Sequence, residues 1–340
     1  MAFGTNSELM FYDKTTPLEA PVLFMVFNRP EKTQRVFDVI RSVRPKKLYV
    51  AVDAPRENRP DDTANVKKVK EIVSDVDWPC DVKYLFHKKN QGCTKAGLAA
   101  WKWIFEYEDR MIFVEDDGLG SIDTFYFVQD MLERYKNDAR VAYVGTVNYG
   151  PKYGDKTYFF SRISAATYFM GTWKRVFNEY EYDLESYYDV CRTKEFRRSF
   201  VSWQERKVYN QLFKSYIASV RENRRYNTYD VQMEFYSFKH HAYSIYPNIN
   251  LCSNIGLDGG ANNQCDTNSA FYQEYGNRKI EPVTEIIYND DVEYDPEFEE
   301  LFFKKRVLYG GPWYKRYLKS MFLRYLGGFY SKHIKKYRRR

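Results

Sequence analysis

The sequence predicts an α/β protein built on a mostly parallel sheet with helices on both faces. Strand-like and helix-like segments alternate through residues 21–150, a rhythm that argues for βαβ units. Several strand candidates are unbroken apolar runs, as in Met111-Ile112-Phe113-Val114, which suits strands covered on both faces. A third observation bears on function. Three consecutive acids, Glu115-Asp116-Asp117, end that run, and ligands of open α/β sheets sit at the carboxyl ends of strands.

Taken in order, residues 21–27 read as a buried strand, with Asn28-Arg29-Pro30 as the turn after it. Pro30 opens a helix, where its missing N–H is no loss, and Val36, Phe37, Ile40 and Val43 form the apolar face. Residues 47–52 are a second strand ending at Asp53, and 61–76 a polar helix. A third strand, 82–86, runs into the loop Asn90-Gln91-Gly92, after which Thr94 is placed to cap a helix reaching Glu106. Residues 111–114 are the fourth strand, 122–135 a helix and 141–147 the fifth strand. The second half is less regular: an aromatic-rich stretch at 157–177, a charged helical stretch at 186–219, and a run at 229–255 containing Pro247-Asn248-Ile249-Asn250. The expected organisation is an N-terminal extension (1–20), two halves of one domain (21–150 and 151–280), an acidic linker (281–303) and a basic tail (304–340).

Composition narrows the class. At 340 residues, with 29% charged and 44% apolar residues, the chain can bury a full core. Five scattered Cys and four His give neither a disulfide framework nor a zinc pattern. No secretory leader and no membrane-spanning run is legible, so the expected compartment is cytoplasmic. The formal charge of +7 is uneven: residues 304–340 hold 13 Lys and Arg and no acid, leaving the body with 40 bases against 46 acids. An acidic body disfavours nucleic acid as a partner.

Three strand ends are polar at what would be one sheet edge: Asn28-Arg29, Asp53-Ala54-Pro55-Arg56 and Glu115-Asp116-Asp117. That suggests a nucleotide-sized cleft, where carboxylates can hold a hard divalent cation. The alternative is an acidic loop start after a core strand. Neither G-x-G-x-x-G nor G-x-x-x-x-G-K-[ST] is present, which removes the main support for dinucleotide redox chemistry and P-loop phosphoryl transfer.

In order and spacing, Val-Phe-Asn-Arg-Pro at 26–30, Val-Asp-Ala-Pro-Arg at 52–56, Asn-Gln-Gly-Cys at 90–93, the acidic triplet, Tyr229-Asp230-Val231-Gln232 and the segment 246–256 resemble one family. It is the GT-A-type nucleotide-diphospho-sugar glycosyltransferases, in the bacterial group similar to N-acetylglucosaminyltransferase I, and the resemblance covers roughly residues 21–263. It implies that Asn28, Arg29, Asp53, Arg56, Glu115 and Asp116 lie at the nucleotide, that Asn90 and Gly92 shape the cleft wall, and that Lys95 approaches the phosphates. It implies that Asp117 binds Mn²⁺ or Mg²⁺, the cation acting as a Lewis acid on the leaving group. Asp230 would be the general base of an inverting transfer, with Glu234 and Asp258 as fallbacks. For Arg29 a salt-bridged turn residue, and for Lys95 a solvated helix start, remain open readings.

The chain departs from the family pattern at three places. Gly118-Leu119-Gly120 follows the triplet, where two glycines would loosen the loop beside the metal; Tyr168 to Trp173 replaces a Trp-rich segment; and Gly260-Ala261-Asn262-Asn263 stands where a His is common. In the tail, Trp313, Tyr317, Met321 and Tyr325 recur at helical spacing among Lys and Arg, which reads as an amphipathic helix lying on an anionic membrane surface. The expectation is a peripheral enzyme on the inner face of the cell membrane that transfers sugar from a nucleoside-diphosphate donor, UDP-linked by preference, to a glycan or lipid-linked acceptor. A sugar nucleotidyltransferase and a catalytically idle sugar-binding protein are the alternatives.

Overall fold

The structure is a computed structural model; it describes residues 16–306 apart from 165–167, 223–228, 258–267, 269–271, 273–275 and 290, and the backbone alone of 302–306. The basic tail beyond 306, Asp258 and the 260–263 segment lie outside the described residues.

Four parallel strands form the first half of the sheet: β1 (Val22–Val26), β2 (Lys47–Val52), β3 (Asp81–Phe86) and β4 (Arg110–Glu115). They are joined by α1 (Pro30–Val43), α2 (Pro60–Ser74) and α3 (Cys93–Ile104). After β4 come β5 (Gly118–Gly120), α4 (Ile122–Arg134), β6 (Val141–Gly145), β7 (Tyr158–Ser161), β8 (Phe169–Trp173) and the single-turn α5 (Lys174–Phe177). Helices α6 (Tyr187–Val190), α7 (Lys194–Arg198), α8 (Trp203–Arg221) and α9 (Asp230–His240) precede β9 (Tyr243–Pro247) and β10 (Cys252–Asn254). A last helix, α10, spans Pro296–Arg306. The main sheet has the order β3-β2-β1-β4-β8-β6-β9-β7, and β5 pairs with β10 apart from it. Only β8 and β7 run against the other six strands. The mostly parallel sheet expected from the sequence is therefore present.

Local chemistry explains most of these elements. In α1, Pro30 stands in the first turn and the predicted face Val36, Phe37, Ile40 and Val43 is buried. Strands β6 and β8 are buried along their whole length, in keeping with their central place. One cap differs from expectation. Gly92, not Thr94, is the N-cap of α3, at φ 77°, and Thr94 lies inside the helix and is buried. The left-handed region that Gly92 occupies disfavours a residue with a β-carbon. The aromatic-rich stretch resolves into β7 and β8, and the second half adds its own aromatic core, with Tyr187, Phe196, Phe213, Phe235 and Phe238 packed between α6, α7, α8 and α9.

The segment expected as an acidic linker is instead packed on the body. Val283, Ile286, Val292 and Phe298 are buried, Val283 N donates to Asp123 (2.9 Å), and Tyr288 donates to Asp130 (2.8 Å). Its acids explain the misreading: Glu299 is buried because Arg162 Nε donates to it at 3.0 Å. The same guanidinium donates to Glu205 of α8 at 3.1 Å and to the Ser199 carbonyl. Burial pushes both carboxyls up, and Arg162 pulls them back. Removing one partner of such a group leaves a buried charge uncompensated. Arg162→Ala is expected to cost about 3–5 kcal/mol in urea unfolding; a loss below about 1 kcal/mol would show that water replaces the guanidinium.

Candidate active site

A cleft of about 380 Å³ opens at the carboxyl ends of β1, β2 and β4. Phe27, Arg29, Asp53, Arg56, Asn90, Gly92, Cys93, Glu115, Asp116 and Asp117 line it. Eight of the residues singled out from the sequence therefore meet there. Asn28 lies behind the wall, where its Nδ2 donates to Asp62 at 2.6 Å. Lys95 is exposed on α3 and does not line the cleft.

Arg29 is the electrostatic centre. Its Nη1 donates to Asp117 Oδ2 at 2.7 Å and to Asp116 Oδ1 at 3.2 Å. Burial alone would lower its pKa, but Asp116 and Asp117 more than offset that and raise it. Burial pushes Asp116 up to about 6 against the pull of Arg29. Glu115 is raised as well, through burial first and then through Asp117, Asp116 and Asp230. The salt-bridged reading of Arg29 thus holds inside the cleft itself.

Asp117 is held from three sides. Its carbonyl accepts from Ile255 N at 2.8 Å, and β5, which starts at the next residue, pairs with β10. Gly256 lies so close that a β-carbon there would come 2.2 Å from Asp117 Oδ2. The run 247–250 fixes β10 in turn: Asn250 Nδ2 donates to the carbonyls of Cys252 and Lys279, both at 2.9 Å, and Asn248 Nδ2 donates to Tyr153 and Lys156 carbonyls. The expectation of a loop loosened by glycine is corrected here. Gly118 and Gly120 form a strand, and a β-carbon at 118 would sit 2.2 Å from the Tyr168 carbonyl, so these glycines permit close packing.

Asp53 is occupied by its own loops. Its two oxygens accept from Ala54 N, Gln91 N, Gly92 N and Asn90 Nδ2, at 2.9 to 3.2 Å. The carboxylate orders the 90–92 loop from its place in the cleft wall. Arg56 is paired with Asp62 (2.6 and 2.9 Å) and stands over the Phe27 ring at 5.4 Å. Asp62, which sequence reasoning passed over, thus holds both Asn28 and Arg56; an acid in the first turn after Pro60 was the available signal. Gly256 ends the 246–256 segment already singled out, but its close approach to Asp117 could not be read because nothing local marks that contact.

Asp230 is the first residue of α9, and Tyr229 before it packs against Trp101 and Phe113 at 5.4 and 6.0 Å between ring centroids. Asp230 does not line the cleft, yet its charge raises both Glu115 and the Cys93 thiol. Glu234, the described fallback, is buried, with Oε2 accepting from Ser164 N at 3.0 Å. The Cys93 side chain is exposed at the cleft, but desolvation at its sulfur and the surrounding acids push the thiol up, which opposes a thiolate nucleophile.

The donor set suits a divalent cation in one respect. Asp117 Oδ1 is buried without a hydrogen-bond partner among the described residues, and a carboxylate oxygen so placed is a hard ligand for Mn²⁺ or Mg²⁺. Among the described residues, no group of three or more His, Cys, Asp or Glu is arranged as a complete metal cage.

No protein-family model and no curated protein matches the chain. Among solved structures it is similar to the mannosyltransferase PcManGT from Pyrobaculum calidifontis in complex with GDP-Man and Mn²⁺, at 13% identity over 49% of this chain and 47% of that one, TM-score 0.33. The match thus spans about half of that mannosyltransferase. Others are HddC from Yersinia pseudotuberculosis (12% identity, 49% and 83% covered, TM-score 0.31) and a UDP-glucose pyrophosphorylase complexed with UDP-glucose (8% identity, 65% and 97% covered, TM-score 0.28). TM-scores of this size carry no argument, and the reading of the cleft rests on its own geometry.

Two outcomes follow from that geometry. Gly256→Ala is expected to displace the Asp117 carboxylate and to cost about 1–3 kcal/mol in urea unfolding. For Asp116, a folded pKa of about 6 against the ordinary 3.8 means the folded state keeps the proton longer, so this group's contribution to stability falls as pH rises through about 4 to 6. In chelator-containing buffer, Asp116→Asn is expected to be about 2–3 kcal/mol more stable than wild type at pH 7, with the gap closing near pH 4.

Proposed function

We propose that this chain is a glycosyltransferase of GT-A type that takes its sugar from a nucleoside-diphosphate donor. The carrying observation is the cleft at the β1, β2 and β4 ends, where Asp116 and Asp117 flank Arg29 and one Asp117 oxygen stands ready for a ligand. The sequence motifs point to the bacterial group similar to N-acetylglucosaminyltransferase I. Phe27, with Arg56 over its ring, offers a flat apolar surface for a base, and Arg29 offers a positive charge for the diphosphate. Asp117 would hold a divalent cation, which stabilises charge on a departing nucleoside diphosphate.

In the transfer, an acceptor hydroxyl oxygen bonds to the anomeric carbon as the bond from that carbon to the diphosphate oxygen breaks. The diphosphate leaves with the electron pair, and the hydroxyl proton passes to a carboxylate, for which Asp230 is the candidate. Attack from the face opposite the leaving group inverts the anomeric centre. Glycan or lipid-linked acceptors fit this chemistry, with the basic tail as the contact to an anionic membrane.

One observation favours this reading over nucleotidyl transfer. Only three residues lie between the end of β1 at Val26 and Pro30, the start of α1, which leaves no glycine- and base-rich loop to grip a triphosphate.

The test is release of nucleoside diphosphate from a panel of nucleoside-diphosphate sugars, with Mn²⁺ or with EDTA. Metal-dependent release from one donor is expected, falling at least about 100-fold in Asp117→Asn. In Asp230→Asn, transfer to an acceptor is expected to fall while thermal stabilisation by UDP or GDP persists. No release and no stabilisation by either nucleotide would overturn the proposal.

A further inference from the structure

The turn between α7 and α8 exposes two large apolar side chains, Val201 at 62% and Trp203 at 55%. Cations surround it. Lys194, Arg197 and Arg198 are exposed on α7, Arg206 is half-buried on α8, and none of the four forms an ion pair among the described residues. Lys207 stands over the Trp203 ring at 4.9 Å. Acids are fewer: Glu195 is exposed, and Glu205 is buried against Arg162. An exposed Trp ringed by bases departs from the scattered apolar residues of an ordinary soluble surface.

The position of this tip supplies the second argument. Arg162 donates at once to the Ser199 carbonyl and Glu205, which bracket the tip, and to Glu299 in the first turn of α10. The tip and α10 therefore stand within the width of one guanidinium. On α10, Leu301 is 39% exposed and Glu300 is also exposed. The chain continues from this helix into 307–340, a stretch with ten Lys and Arg and no acid.

We infer that the 194–207 tip is a membrane-docking surface of the folded body: Val201 and Trp203 enter the headgroup region of an anionic bilayer, and Lys194, Arg197, Arg198 and Arg206 meet its negative charge. Aromatic side chains such as Trp favour that depth. Each base near an anionic surface is worth about a fivefold change in partition. The surface stands on its own observations, whether or not the cleft transfers sugar.

The full chain would be titrated with vesicles of phosphatidylcholine alone or mixed with phosphatidylglycerol, carrying brominated acyl chains that quench Trp at short range. Wild type is expected to bind the mixed vesicles and to be quenched, with a clear part of the quenching absent in Trp203→Phe. The double variant R197Q/R198Q is expected to bind about 25-fold more weakly, and Val201→Ser to weaken binding also in its unchanged thermal midpoint. Equal quenching in wild type and Trp203→Phe, or equal vesicle affinity in R197Q/R198Q, would overturn the inference even if the chain still bound through its tail. Failure to bind either vesicle would overturn it too.

Discussion

One guanidinium stands among the acids at the head of the sheet. Glu115, Asp116 and Asp117 are consecutive, Asp230 adds its field from α9, and among the described residues only Arg29 bridges two of them. Without that cation the cleft would concentrate like charge in a partly desolvated place, which is costly. The burial of Asp116 beside Asp117 depends on it, and Arg29 also draws the raised Glu115 part of the way back. Such a cleft would suit the ligand proposed for it, a diphosphate with its bound cation, which carries charge of both signs.

The first half of the fold was legible because a parallel strand announces itself as a continuous apolar run. The strands β1, β2, β3, β4 and β6 and the helices between them follow the reading closely. The second half was not legible at that level. Aromatic residues in 157–177 suit either a strand or a buried helix, and only tertiary pairing decides. β5, three residues with two glycines, owes its existence to β10 far along the chain.

The site divides in the same way. The acidic triplet, Arg29 and the 90–92 loop could be placed because each follows a strand that could itself be placed. The work of Asp53 could not, since its partners Gln91 and Gly92 lie beyond a helix and another strand. Nor could the tie through Arg162, which turns an acidic stretch resembling a linker into part of the body. Residues whose role is to hold other residues leave little trace in local pattern.

The clamp on Asp117 has a consequence for how the protein is made. Arg29 reaches Asp117 from the first turn of the domain, while Ile255, Gly256 and β10 reach it from near its end. Contacts of such long separation close late, because loop entropy is spent before they form. A nascent chain lacking the 247–256 segment holds the acidic triplet but not the wall against it. The clamp on Asp117 thus closes only after most of the domain has left the ribosome, so a partly synthesised chain holds the residues that line the cleft before its third acid is fixed.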